Sequence, residues 1–411
     1  MTGLLSAAAP RIRERAGDAG STRAILTAAW PITAVFILSN AATPLYVLWQ
    51  HTMGFSKGTL TVVFAFYIVG LLFSLLVCGV ASDRLGRKAV LVPALALAGA
   101  ACVVFATATS VVALIVARLF TGIAVGAVVS AGMAAVSDVA GPERRRHGAL
   151  LASCAMVFGA GLGPLTAGIL AQTVPGPTVT VFVVEGVLLL TALAAVLRLP
   201  LRRPARVAGG SWIRIPSVPH QGRLPLLHGV AAFAPGITAT SFVLSLGPSL
   251  LAGLLHSDSR ILAGCTAFVM FAAATGAQFA VHRLRRRTIL LTSVTATAVA
   301  MAVLAVSVNT ASAPLLFAAA ILSGVGQGLG QLAGLSLLNA AIPPHRLAEA
   351  NAALNVGGYL AAGTLPVAAG YLSDAVGLST GASVFAGVLA ALALAGGAIV
   401  LTTRPAGGVE G

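Results

Sequence analysis

The stretch CGVASDRLGRKAVL, residues 78–91, places four charged side chains within six positions between two long apolar segments. Gly86 stands among these charges, and glycine adopts the backbone angles of a tight turn at little steric cost. The apolar segments on either side are each about 20 residues long, the length of helix that crosses a hydrocarbon core of roughly 30 Å. The stretch is therefore predicted to be a charged turn between two membrane-spanning helices.

The composition of the whole chain also favours a membrane protein. Of the 411 residues, 58% are hydrophobic and 9% are charged, whereas an ordinary soluble domain has roughly 25% charged residues. The net charge of +15 does not indicate nucleic-acid binding, because the basic residues lie between hydrophobic segments and not on one soluble face. The sequence predicts an all-α membrane protein with twelve transmembrane helices, at 24–46, 60–81, 89–108, 111–136, 149–170, 178–199, 225–246, 261–280, 288–308, 313–338, 348–372 and 379–402.

The basic residues fall on one side of the predicted membrane. With the N-terminus in the cytoplasm, 22 of the 25 are cytoplasmic, Lys57 and Arg260 lie outside, and Arg118 lies within a span. The positive-inside rule therefore puts both termini in the cytoplasm. The excess of arginine over lysine and the abundant Ala and Gly suggest a GC-rich bacterial genome, and the expected location is the plasma membrane of a bacterium. The predicted parts are a cytosolic tail (1–23), a six-helix half (24–199), a cytosolic linker (200–224), a second six-helix half (225–402) and a second tail (403–411).

The two halves carry an internal duplication. At an offset of 202 residues, Gly122 matches Gly324, Pro164 matches Pro366, and Gly168 matches Gly370. Two parallel six-helix repeats, with the substrate held near the membrane midplane between them, are characteristic of many secondary transporters. The repeat thus favours transport, although a membrane sensor that had lost transport would still show it.

The charged turn matches the pattern G-x-x-x-D-R-x-G-R-[KR], and with the span count and the central linker it resembles the major facilitator superfamily over the whole chain. The resemblance implies that the turn is a conformational latch, whose aspartate contacts the start of span 11 when the cytoplasmic side is closed. A charged turn that only fixes orientation is the alternative. The predicted latch residues are Gly79, Asp83, Arg84, Gly86, Arg87 and Lys88.

Two further motifs resemble those of the proton-driven drug antiporters in this superfamily. Span 5 contains FGAGLGPLTAG, with Gly159, Gly163, Pro164 and Gly168 at the matching positions. Small residues four apart allow close helix packing, and proline bends a helix, so packing without any directional meaning is the alternative. Span 4 contains Arg118 four residues before a glycine, and a cation within the bilayer needs a partner or a cavity unless it snorkels to the surface.

The resemblance also implies which spans face the substrate. In the superfamily, spans 1, 4, 7 and 10 surround the central cavity. The candidate cavity residues are Phe36, Asn40, Phe242, Gln327 and Gln331. Each of the polar ones is equally able to bond a neighbouring helix.

Glu185 is the default candidate for proton coupling, since it is the membrane-embedded acid that lies away from the span ends, about seven residues into span 6. A carboxyl group buried away from cations favours its protonated form, and Arg118 would favour proton release if the two were close. Span 6 does not line the central cavity in the superfamily. The alternatives are coupling through Asp83, a histidine such as His228, or the substrate itself.

Several transport classes lack support. The chain has no glycine-rich phosphate loop followed by Lys and Ser or Thr, so no ATP or other cofactor is expected, and the widely spaced cysteines suggest neither disulfides nor a metal site. The sequence predicts a monomeric carrier, not an enzyme, that exports a small, moderately hydrophobic compound by alternating access in exchange for protons. An uptake symporter or facilitator for a small metabolite is the alternative, and a transport-dead sensor is a remote one.

Overall fold

The computed structural model describes residues 21–201, 212–253, 259–281, 284–343 and 346–403, and all the regular secondary structure in these ranges is helical. Residues 1–20 and 404–411 of the predicted tails, and residues 202–211 of the predicted linker, lie outside the described residues.

Twelve helices in the described ranges are long and apolar enough to cross a membrane, which confirms the predicted all-α membrane fold. Each contains the predicted span of the same number, except that spans 3 and 6 end two residues and one residue beyond their helices. The helices are α1 Thr22–Met53, α2 Lys57–Leu85, α3 Arg87–Ala106, α4 Val111–Arg145, α5 His147–Thr173, α6 Pro177–Arg198, α7 His220–Gly253, α8 Arg260–Ala280, α9 Arg286–Thr310, α10 Ala313–Ala341, α11 Leu347–Val376 and α12 Leu378–Thr402.

Glycine and proline set the breaks between and within these helices. Gly86 has φ 97°, so the predicted turn between α2 and α3 does use backbone angles that favour glycine. Gly141 has φ 72° and is followed by Pro142, and together they bend the chain near the end of α4. Helix α1 contains a short 3₁₀ turn, Thr43–Leu45, inside the predicted span, and its last turns, Tyr46–Met53, continue past the predicted end at residue 46.

The sequence duplication corresponds to repeated packing. A side chain at Gly122 of α4 would collide with the backbone carbonyl of Tyr67 on α2, and one at Gly324 of α10 would collide with that of Met270 on α8. The glycines therefore let α4 lie against α2, and α10 against α8, at backbone contact distance. The two six-helix halves, α1–α6 and α7–α12, thus share one internal arrangement.

The two membrane surfaces of the protein differ in how the halves meet. We call the surface that carries the α2–α3 turn and residues 212–219 the linker face, and the opposite surface the distal face. Helices of the two halves contact each other toward the distal face, where α2 packs on α11 and α5 packs on α8. At the linker face, linker residues bond to both halves: Arg214 bonds to Leu76 and pairs with Asp83 of α2, and Ser217 bonds to Glu349 of α11.

Candidate functional site

Arg118 lies in the interior of the first half, with an exposed fraction of 0%. Its Nη1 donates a hydrogen bond of 2.6 Å to the backbone carbonyl of Ser39 on α1. Its Nε and Nη2 both donate to the hydroxyl of Tyr46, also on α1. The snorkelling alternative does not fit this geometry, because the guanidinium points inward and its donors are used inside the bundle.

Aromatic rings surround the same guanidinium. Its carbon lies 5.2 Å from the ring centre of Tyr46, 5.3 Å from that of Phe64 and 5.7 Å from that of Tyr67. Rings within about 6 Å of a cation attract it through their negative faces. The site thus provides the partners that a buried charge requires, and it ties α4 to α1 and α2.

Glu185 lies in a separate part of the first half, between α6 and α3. Its exposed fraction is 2%, and its Oε2 has no hydrogen-bond partner among the described residues. One helical turn toward the distal face, Phe182 and Phe105 stack with ring centres 4.7 Å apart. No ion pair joins Glu185 to Arg118 in the part of the chain that the structure describes.

The candidate cavity residues fall into two groups. Asn40 belongs with the arginine site, since its Nδ2 donates to the Ser39 hydroxyl at 3.0 Å. Gln327 and Gln331 are half-buried on α10 and bond each other at 3.2 Å, as expected for residues four apart on a helix.

Two aromatic candidates face neighbouring helices. Phe242 is fully buried and stacks on Phe385 of α12, with ring centres 4.1 Å apart, so in this conformation it packs within the second half. Phe36 packs beside Gly159, where an added side chain would approach its Cβ to 2.8 Å.

The predicted latch residues form a charged cluster at the linker face. Arg87 pairs with Asp83 at 2.6 Å and with Asp138 of α4 at 3.1 Å, and Lys88 donates to the carbonyl of Leu197 at 2.8 Å. Among the described residues, Asp83 pairs with Arg87 and Arg214, and no hydrogen bond or ion pair joins it to the start of α11. The contact that the resemblance implies belongs to a closed cytoplasmic side, whereas in this structure the helices of the two halves meet toward the distal face.

A linker arginine contacts two of the predicted latch residues in this structure. The guanidinium of Arg214 lies 3.5 Å from Asp83, and its backbone N–H donates to the carbonyl of Leu76 on α2 at 2.8 Å. A Cβ at Gly79 would come within 2.8 Å of the same guanidinium. Gly79 thus leaves space for the guanidinium of Arg214, and Asp83 pairs with it. Sequence reasoning assigned Arg214 only to the cytosolic linker.

Replacing Asp83 with asparagine is expected to slow turnover more than it weakens substrate binding. The side chain lies at the linker end of α2, in contact with Arg87 and Arg214 and far along the chain from the buried candidates. Binding affinity and exchange rate of purified Asp83→Asn protein check this expectation, with Glu143→Gln, at an exposed position of the linker face, as the charge control. Lost affinity with a normal exchange rate would contradict a latch role.

The span 5 motif presents two faces to two different neighbours. Side chains at Gly159 and Gly163 would collide with the backbone carbonyls of Thr33 and Ile37 on α1. One at Gly168 would collide with the carbonyl of Arg260, at the start of α8. Gly159 and Gly163 therefore let α5 pack against α1 of its own half, and Gly168 lets α5 pack against α8 of the other half.

A bulky residue at Gly163 should force α5 away from α1 and disturb transport. Gly163→Val is expected to lower the transport rate at least about tenfold or to raise the proton leak, because a backbone carbonyl cannot rotate away as a side chain can. Gly99→Val on α3 is the matched control, since nothing lies within 4 Å of an added Cβ there. Normal transport and normal leak in Gly163→Val would leave the motif without a mechanical role.

Sequence reasoning missed the partners of Arg118. Tyr46 was predicted as the last residue of span 1, and Phe64 and Tyr67 were counted only as apolar parts of span 2. A buried arginine with aromatic residues on the preceding spans is a signal that these residues form its surroundings.

A family model described as Major Facilitator Superfamily matches residues 29–285 and 228–410 of the chain. Over 100 residues, the chain is 38% identical to the 3-(3-hydroxy-phenyl)propionate transporter of Escherichia coli (strain K12). That alignment covers 24% of this chain and 25% of the transporter.

Solved transporter structures share the fold. The nucleoside transporter NupG superposes with a TM-score of 0.72 at 14% identity, covering 93% of this chain and 100% of that chain. A bacterial homologue of the human lysosomal transporter Spinster, in an inward-facing and unoccupied conformation, superposes with a TM-score of 0.69 at 15% identity, covering 94% and 99%. At these identities the likeness concerns the fold alone.

Proposed function

The chain belongs to the Major Facilitator Superfamily, and on that premise we propose that it is a proton-coupled carrier that moves a small organic compound across the membrane by alternating access. Membrane transport follows from the family and the twelve-helix fold. The coupling ion, the substrate class and the direction are the parts of the proposal that need support from the site.

The observation that carries the proposal is the buried carboxyl group of Glu185. A carboxylate that is buried away from cations is unstable, and such a group favours its neutral, protonated form. Glu185 is 2% exposed, and its Oε2 has no hydrogen-bond partner in the part of the chain that the structure describes. A membrane acid of this kind is by default a proton-transfer candidate.

The orientation of the carrier follows from its charges. The linker face carries the basic residues of the α2–α3 turn and of the linker, including Arg84, Arg87 and Arg214. The positive-inside rule supports a cytoplasmic linker face in a bacterial plasma membrane. The conformation with its distal face closed would then be open to the cytoplasm, and the chain is proposed to work as a monomer.

The direction proposed first is export. It rests on the motif of Gly163, Pro164 and Gly168, which resembles that of drug antiporters and which supplies the contact between α5 and α8. Arg118 is satisfied within the first half, and the other cavity candidates are amide or aromatic groups. These surroundings favour a moderately hydrophobic compound, either neutral or weakly charged.

Uptake of a small aromatic acid is the second candidate, and one specific observation favours it. The curated relative is described as a transporter of 3-(3-hydroxy-phenyl)propionate, which joins an aromatic ring to a carboxylate. Arg118 and the rings around it would offer such a compound both a cation and apolar contact in a conformation that frees the guanidinium from Ser39 and Tyr46. The carrier would then bring substrate and proton inward together.

Vesicles of both orientations distinguish these candidates. Everted and right-side-out membrane vesicles are given a proton gradient and a panel consisting of 3-(3-hydroxyphenyl)propionate, a nucleoside and a hydrophobic cationic dye. An exporter accumulates its substrate in everted vesicles, and a symporter does so in right-side-out vesicles, and a protonophore abolishes both. Equilibration that ignores the gradient would contradict proton coupling, and no movement of any panel compound would favour the sensor alternative.

A further inference from the structure

A carboxylate from one half caps a helix of the other half at the distal face. Asp374, near the end of α11, accepts hydrogen bonds from the backbone N–H groups of Lys57 at 3.0 Å and Gly58 at 2.8 Å. These are the first N–H groups of α2, which have no partner within the helix. The negative charge also faces the positive end of the helix dipole, so this contact holds α2 to α11.

The same position in the other repeat makes the corresponding contact. Gln172, near the end of α5, lies 202 residues before Asp374, and its Oε1 accepts from the N–H of Ile261 at 3.0 Å and from the hydroxyl of Ser259 at 3.1 Å. Ser259 and Ile261 belong to the start of α8. Arg260 adds a bond of 2.6 Å from its Nη1 to the carbonyl of Ala171.

The surroundings of the two contacts also repeat. Gly370 and Gly168, again 202 residues apart, bring their helices against the backbone carbonyls of Lys57 and Arg260. Ser56 and Ser259 accept from the third N–H of α2 and α8, at 3.1 Å and 3.2 Å. The glycines let the helices come into contact, and the polar side chains accept hydrogen bonds from the unpaired N–H groups at the helix starts. The same combination of glycine, serine and polar cap therefore occurs at both contacts.

We propose that Asp374 and Gln172 are paired positioning residues that hold the distal face shut, and that Asp374, as the charged member, sets how often this face opens. The inference rests on the alternating-access transport proposed above. Opening the distal face must break both caps, because each one joins helices from different halves. The charged cap loses both hydrogen bonds and a favourable dipole interaction, whereas the neutral cap loses hydrogen bonds only.

The test measures opening without any substrate. The hydroxyl of Ser249 on α7 bonds Gln50 on α1 at 3.1 Å and is buried, so a cysteine there becomes reactive when the distal face opens. Purified Ser249→Cys protein, with the four native cysteines replaced by alanine and in lipid nanodiscs, is treated with a maleimide. A cysteine at the exposed position Thr107 reports the intrinsic reactivity.

Asp374→Asn is expected to raise the alkylation rate of the cysteine at position 249 about three- to tenfold, the size of a lost charged cap. Gln172→Glu is expected to lower it, because a carboxylate is a better helix cap and Arg260 is adjacent. Glu143→Gln, which removes an exposed carboxylate at the linker face, should leave the rate unchanged.

Opposite shifts from the two variants would support the inference, since a general loss of structure moves both the same way. A wild-type rate in Asp374→Asn, or a faster rate in Gln172→Glu, would overturn it. Gln172→Glu keeps the test valid even where Asp374→Asn does not fold. Because no substrate is added, this outcome is independent of whether the proposed proton-coupled transport is correct.

Discussion

Arg118→Ala is expected to reduce both gradient-driven transport and substrate exchange to background. The guanidinium is fully buried and donates to Ser39 and Tyr46. Its loss leaves a carbonyl and a hydroxyl without a donor inside the membrane, at about 1–3 kcal/mol for each unsatisfied group. It also removes the cation that three aromatic rings surround, so α1, α2 and α4 lose their shared contact. Uptake and counterflow in proteoliposomes measure both activities.

Two variants separate the geometry of Arg118 from its charge. Arg118→Lys keeps a cation but lacks the rigid planar set of donors with which the guanidinium bonds Ser39 and Tyr46, so we expect partial activity at best. Arg223→Ala removes an exposed arginine at the linker end of α7 and should retain transport. Full counterflow in Arg118→Ala, with protein that remains monodisperse, would show that the buried site has no part in transport.

Glu185→Gln is expected to abolish accumulation against a gradient while leaving substrate exchange within about twofold of wild type. Glutamine fills the same space between α3 and α6, but it cannot carry a proton. The environment already tolerates a side-chain oxygen without a partner, so a neutral amide should not disrupt the packing around Phe182. The loss of coupling should therefore appear without a loss of fold.

A pH-jump assay in vesicles measures this effect, with counterflow on the same preparation as the internal reference. Glu185→Asp should keep some coupling, and Glu143→Gln, at an exposed position, should keep all of it. Full uphill transport in Glu185→Gln would indicate that proton coupling runs through Asp83, His228 or the substrate and not through Glu185. His228 is buried on α7 and bonds Thr403 at 2.6 Å.

The sequence was sufficient to predict the spans and the turn at Gly86. Hydropathy defines span length because the thickness of the membrane is fixed, and only glycine accepts φ 97° without strain. The duplication was also readable, because Gly168 and Gly370 must both leave room for a neighbouring backbone. These features depend on local chemistry or on repetition along the chain.

The direction in which a side chain points on a buried helix was less predictable. Phe242 was assigned to the cavity because span 7 lines it in the superfamily, and in this structure its ring stacks on Phe385 of α12. Every residue from 238 to 251 of α7 is buried, so hydrophobic periodicity does not distinguish one face of this helix from another. Only the packing of the neighbouring helices determines which face meets the substrate.

Contacts between distant residues were missed for a different reason. Asp374 and Lys57 are 317 residues apart, and an aspartate at the end of a span looks like an ordinary boundary residue. The offset of 202 that pairs it with Gln172 was available in the sequence, but the two residues differ in type, so no identity marked the match. Arg214 was likewise counted as one of many linker charges, although Gly79 leaves space for it.

Alternate opening of the two faces is the central claim, and distances between spin labels at both faces test it directly. One label pair lies at the distal ends of α3 and α9, at Thr107 and Thr310, and the other lies at the linker face, at His147 of α5 and Asn339 of α10. Lowering the pH, or adding whichever panel compound is transported, should lengthen one distance and shorten the other. Distances that change in the same direction, or do not change while transport proceeds, would contradict the account.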